Sequence, residues 1–104
     1  MITKKTKESL DFLEKLSGKL TLGSLLLSIR CGEEMTQEQF ARKIGVSKQY
    51  ISDLEHSRRF VSPKAAAHYA KKLGYSPHQF VKLCLQDMID RDGLNFIIEI
   101  EDAA

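Results

Sequence analysis

A chain of 104 residues, 42% of them hydrophobic, has room for one core and is too apolar for global disorder. The formal net charge is only +2, but it is unevenly spread: eight Lys/Arg against three acids from Gln37 to Lys72, then six acids against Arg91 alone from Asp87 onward. No apolar run reaches the ~18 residues of a membrane span, and no signal-peptide core follows the basic start Met1–Lys5, so the expectation is a cytoplasmic protein without a membrane partner.

Residues 6–17 set Leu10, Phe12, Leu13 and Leu16 at helical spacing, with Gly18 as a stop. Thr21 can cap the next helix, whose apolar stripe is Leu22, Leu25, Leu26 and Ile29 and whose end falls between Gly32 and Met35. Thr36-Gln37-Glu38-Gln39 reads as a capping box. The helix it opens turns Phe40, Ala41 and Ile44 inward and stops at Gly45. Ser47 caps a further helix anchored by Ile51 and Leu54. Ser62-Pro63 and Ser76-Pro77 are strong start signals: Ser supplies the cap, and Pro fits the first helical position because its missing N–H would be unpaired there. The first of these helices, rich in alanine, ends at Gly74, and the second runs to about Arg91, before Gly93.

From Leu94 to Ile100 the pattern is β-branched and aromatic with partial alternation, which predicts a strand. One strand alone leaves its backbone groups unpaired. The simplest remedy is the same strand of a second copy across a two-fold axis; the alternative is an extended tail or more helix. The preceding helix has apolar residues around more of its circumference than one core needs. Phe80, Leu83, Cys84, Leu85 and Met88, with Phe96, Ile98 and Ile100, are therefore the candidate dimerisation residues. The expected fold is mainly α, with segments at 1–20 (N-terminal helix), 21–74 (a helical domain) and 75–104 (dimerisation helix and strand).

Gln37–Ile44 and Lys48–Glu55 form two short helices joined by a tight turn. Ala41 is small where the helices must cross, and Gly45 suits the positive φ of the turn. The run Met35-Thr-Gln-Glu-Gln-Phe-Ala-Arg-Lys-Ile-Gly-Val-Ser-Lys-Gln-Tyr-Ile-Ser-Asp-Leu-Glu-His carries the pattern almost unbroken. Residues 21–74 thus resemble the Xre/Cro/phage-repressor helix-turn-helix family, which implies a lambda-repressor-like bundle of about five helices that binds double-stranded DNA. By that resemblance Arg30 pairs with Glu55. One departure is Glu34, where the family often has Gly, so the turn there is expected to be shaped differently, with Gly32 as a candidate. The added C-terminal helix and strand are similar to HigA- and HipB-type antitoxins, which dimerise, repress their own operon and contact a toxin.

In such a motif the second helix enters the major groove with its N-terminal residues at base edges. Lys48, Gln49, Ser52 and Asp53 fall on its outward side and are the candidate base readers. Lys48 can donate to guanine, and Gln49 can pair with adenine. Asp53 can accept from cytosine, or instead pair with a nearby Lys or Arg. Candidate phosphate contacts are Gln37, at a helix N-terminus, with Ser47, Tyr50, His56, Arg58, Arg59 and Lys64. Tyr50 is equally readable as a half-buried packing residue. Cys31 and Cys84 match no metal or redox spacing, and His56, His68 and His78 form no ligand pattern, so no metal, cofactor or catalytic residue is expected. The functional expectation is a dimeric repressor on a pseudo-palindromic operator, an antitoxin-like autoregulator located at the nucleoid. The alternatives are a free-standing phage-type repressor, or an interaction module that no longer binds DNA.

Overall fold

The computed structural model describes residues 20–103. Among the described residues five helices follow one another: α1 (Leu22–Gly32), α2 (Gln37–Ile44), α3 (Lys48–Glu55), α4 (Pro63–Leu73) and α5 (Pro77–Arg91). The helix expected over residues 6–17 lies outside the described residues.

Each helix starts on a hydroxyl. Thr21, Thr36, Ser47, Ser62 and Ser76 accept from the N–H groups of Ser24, Gln39, Tyr50, Ala65 and His78, satisfying donors that the first helical turn leaves unpaired. At Thr21 and Thr36 the exchange is reciprocal, with Ser24 and Gln39 accepting from the cap's own N–H at 2.9 Å.

The helices end alike. In each, an N–H reaches back five residues: Met35 to Arg30, Val46 to Ala41, Arg58 to Asp53, Tyr75 to Ala70 and Leu94 to Ile89, at 2.8 to 3.1 Å. This bond needs a left-handed residue just past the helix. Glycine fills that place at Gly45, Gly74 and Gly93, but Glu34 and Ser57 fill it at φ 58°. The turn after α1 is therefore made by Glu34 itself. Gly32, the candidate from sequence, is instead the last residue of the helix.

The chain divides into two compact units, one reaching to Arg59 and one beginning at Phe60. In the first, α3 packs on both α1 and α2. Leu22, Leu26, Ile29, Phe40, Ala41, Ile44, Ile51 and Leu54 are buried, with Leu26, Phe40 and Ile51 at 0% exposure. The apolar periodicity of three short helices is thus spent on one shared interior. Gly23 of α1 lies so close to α3 that a Cβ there would run into the carbonyl oxygen of Leu54.

In the second unit α4 packs along α5. Ala66 and Ala70, both at 0% exposure, allow close approach, and Tyr69, Leu73, Phe80, Leu83, Cys84 and Val61 complete the buried set. The Cys84 thiol donates to the Val61 carbonyl at 3.0 Å, and burial pushes its pKa up, so it stays a thiol.

Among the described residues no strand forms, and this corrects the expected C-terminal strand: residues 94–103 have neither helix nor strand. The local residue preference is for extended backbone, but a strand exists only through a ladder. Here a side chain takes the partner's place. The Gln86 carboxamide of α5 donates to the Phe96 carbonyl at 2.8 Å and accepts from the Ile98 N–H at 2.8 Å. Even-numbered backbone groups thereby turn toward α5, as one edge of a strand would, without a second strand.

Candidate nucleic-acid interface

The helix-turn-helix geometry begins in the turn between α2 and α3. Ala41 is 3% exposed and fills the space where a larger side chain would part the helices. Gly45, at φ 80°, bends the chain between them. Ser47 then caps α3, its Oγ accepting from the Tyr50 N–H at 3.1 Å. With Ile51 and Leu54 buried, the helical period puts Lys48 and Gln49 outside, Ser52 and Asp53 half-buried at the flank, and Glu55 inside.

Glu55, 4% exposed, is the buried charge that ties this unit together. Arg30 donates to it from Nε at 2.7 Å and from Nη2 at 3.1 Å, and a third guanidinium N–H reaches the Met35 carbonyl at 3.0 Å. Gln37 adds a bond from Nε2 to Glu55 at 3.0 Å. Burial opposes the Arg30 charge, but the hydrogen bond and charge of Glu55 outweigh it, and the Arg30 pKa is raised. Together the three side chains link α1, the start of α2 and the end of α3. A bidentate, fully bonded arrangement is the condition under which a buried ion pair is tolerated. Gln37, a candidate phosphate contact, thus has its side-chain amide engaged with Glu55; the N-terminus of α2 is the other donor there.

Asp53 is the second hub. Its Oδ1 accepts from Gln49 Nε2 at 3.0 Å and from Arg58 Nε at 3.2 Å, with Arg58 Nη2 at 3.1 Å from the same oxygen. Arg58 also reaches Ser52 Oγ at 3.4 Å. The Gln49 hydrogen bond, with Arg58 behind it, holds the Asp53 carboxyl below its ordinary pKa. Of the two sequence readings of this residue, the geometry displays the one with a neighbouring arginine.

Past α3 the left-handed Ser57 turns the chain, and His56, Arg58 and Arg59 follow as exposed residues. His56 Nδ1 lies 2.8 Å from the Ser52 carbonyl, and the Arg59 guanidinium sits 4.9 Å from the centre of the half-buried Tyr50 ring. The result is one surface bearing Lys48, Gln49, Arg58 and Arg59, with Asp53 already paired to Gln49 and Arg58. Such a surface can donate to phosphates and present an amide to base edges. Lys64 is exposed at the second position of α4 in the other unit, in a shallow open groove of about 250 Å³ shared with Ala67, His68 and Lys71.

The candidate dimerisation residues separate into two sets. Phe80, Leu83 and Cys84 are buried inside the chain. Leu85, Ile98 and Ile100 are half-buried, and Met88 and Phe96 are 37% and 62% exposed. Leu94 (47%) and Ile97 (79%), not singled out from sequence, are also exposed, and Ile97 is the residue between the two that Gln86 grips. Sequence reasoning also missed the Gln37–Glu55 bond, which joins residues 18 apart and has no local signature. The Gln49–Asp53 pair did have one, since residues four apart on a helix are neighbours. Among the described residues no group of three or more His, Cys, Asp or Glu is placed to hold a metal ion, and no helix is long and apolar enough to cross a membrane.

Comparison with curated proteins and with solved structures gives no match. The helix-turn-helix family model matches residues 26–80, just over half of the chain, from within α1 to the start of α5. That stretch contains α2, the Gly45 turn, α3 and the basic residues after it, so the chain belongs to the Xre-type helix-turn-helix family of DNA-binding transcription regulators.

Proposed function

We propose that this protein is a sequence-specific repressor that binds a pseudo-palindromic operator as a homodimer. The observation that carries the reading is the outward N-terminal end of α3, where Lys48 and Gln49 are exposed beside Arg58 and Arg59 on a helix whose other face is locked into the core. In this reading Lys48, Gln49 and Ser52 meet base edges in the major groove. Ser47, Tyr50, His56, Arg58, Arg59 and the α2 N-terminus at Gln37 serve the phosphates. Two copies related by a two-fold axis would read half-sites about 34 Å apart. The protein acts at the nucleoid and has no catalytic role.

The exposed apolar residues Met88, Leu94, Phe96 and Ile97 support association through the end of α5 and the segment after it. The finer form of the proposal is an antitoxin-like autoregulator, in which a toxin is a further partner. Copurification of this chain with the product of a neighbouring gene tests that form.

DNA binding is tested by titrating the full chain with the DNA upstream of its own gene at several salt concentrations, alongside Lys48→Ala/Gln49→Ala. The expected result is tight binding that weakens by about 0.9 log units per phosphate contact for each log unit of salt, with the double variant losing its preference over random DNA. Wild-type protein that binds this DNA no better than random DNA would remove self-operator recognition from the reading.

A further inference from the structure

We infer that Asp53 is a positioning residue that fixes the donor and acceptor order of the Gln49 carboxamide, making the base pair beneath Gln49 selective for adenine over guanine. This rests on the DNA-binding reading above and adds to it the basis of specificity at one position.

The selectivity follows from the number of free donors on the amide. A glutamine amide carries two N–H donors and one acceptor oxygen. In the major groove adenine shows an acceptor at N7 and a donor at N6, whereas guanine shows two acceptors, N7 and O6. An unrestrained glutamine can serve either base: one N–H and the oxygen suit adenine, and two N–H groups suit guanine.

In this protein one N–H of Gln49 is engaged by Asp53 Oδ1 at 3.0 Å. An ionised carboxylate is an acceptor only, so the amide cannot flip without setting its own oxygen against that charge. What remains is one N–H and the oxygen, the complement of adenine. Guanine would place its O6 against the Gln49 oxygen, an unpaired contact in a confined site.

The brace is itself braced. Arg58 contacts the same Asp53 oxygen through Nε at 3.2 Å and Nη2 at 3.1 Å, and the Arg58 backbone N–H donates to the Asp53 carbonyl at 2.8 Å. One carboxylate therefore orients both a base-facing amide and an arginine of the basic turn. Its negative charge is held where phosphate would otherwise repel it, and removing it leaves the surface more positive.

The test starts with selection of preferred sites from a random duplex library by the full wild-type chain, with Gln49→Ala identifying the base pair under Gln49. Asp53→Ala and Asp53→Asn are then measured on duplexes carrying A or G at that pair, on otherwise substituted sites and on random DNA. Alanine suits a helix interior, and thermal melts confirm that each variant folds. The expected result is that the adenine-over-guanine preference narrows by about tenfold at that one pair. Preferences elsewhere remain, and random DNA is bound no more weakly than by wild type. Adding Asp53→Ala to Gln49→Ala brings no further loss at that pair. If wild type selects a site and the Asp53 variants keep its full preference there, the inference is wrong while DNA binding stands. Loss of preference by a common factor at every position also overturns it, because the effect then runs through docking of the whole helix. A wild-type chain that selects no sequence overturns the DNA-reading proposal itself, and the inference falls with it.

Discussion

Glu34 and Ser57 both hold φ at 58°, where the Cβ of an L-residue crowds the neighbouring carbonyl oxygen. Their surroundings impose it: the N–H groups of Met35 and Arg58 bond back to Arg30 and Asp53, and those bonds require the residue between to be left-handed. Glycine carries this conformation without the steric cost but adds entropy to the unfolded chain. The balance favours glycine by about 0.5–1 kcal/mol. Glu34→Gly and Ser57→Gly should therefore each raise stability by that amount, read from urea midpoints with unchanged slopes. A fall in midpoint for either would mean that the side chain's own interactions outweigh the backbone cost. Sequence showed half of this. The missing family glycine at Glu34 was visible, but the residue that would turn instead was not, because that depends on where the helix stops.

At the level of elements, the helix starts were legible because a cap and its recipient N–H lie within three residues of each other in the chain. Packing between helices was less so. Gly23 has no turn to make; it sits inside α1, and its value lies in the Leu54 carbonyl opposite. Gly23→Ala gains helix propensity but must push α1 off α3. It should lower stability by about 1–3 kcal/mol in denaturant unfolding, and it should weaken DNA binding as well, since α3 carries Lys48 and Gln49. The C-terminal segment makes the reverse case, in which local preference was clear and the element did not follow. Gln86→Ala removes both bonds to residues 96 and 98. Hydrogen exchange at the Ile98 amide should then speed up by at least tenfold, with α5 amides unaffected. Unchanged protection would show that packing of Ile98 and Ile100, not the carboxamide, holds the segment.

On the scale of the whole molecule, the exposed large apolar residues include Phe60 and Tyr75 and, near the end of the described chain, Met88, Leu94, Phe96 and Ile97. If two copies associate there, Phe96→Asp should lower the mass seen in sedimentation equilibrium from two chains to one and weaken operator binding without changing the helix content. A wild-type chain that sediments as a monomer at all concentrations would place the dimer on DNA alone or nowhere. The amino-acid sequence by itself determined where each described helix begins, the inward residues of α2 and α3, and the outward position of Lys48 and Gln49, because all of these follow from periodicity and from contacts within about four residues. Tertiary structure decided the rest. It engaged Gln37 with Glu55, committed Asp53 to Gln49 and Arg58, buried Phe80, Leu83 and Cys84 within the chain, and bonded the Gln86 side chain to the segment expected as a strand. Such outcomes depend on which donor meets which acceptor once helices pack, and a buried polar group takes the partner that the fold brings to it.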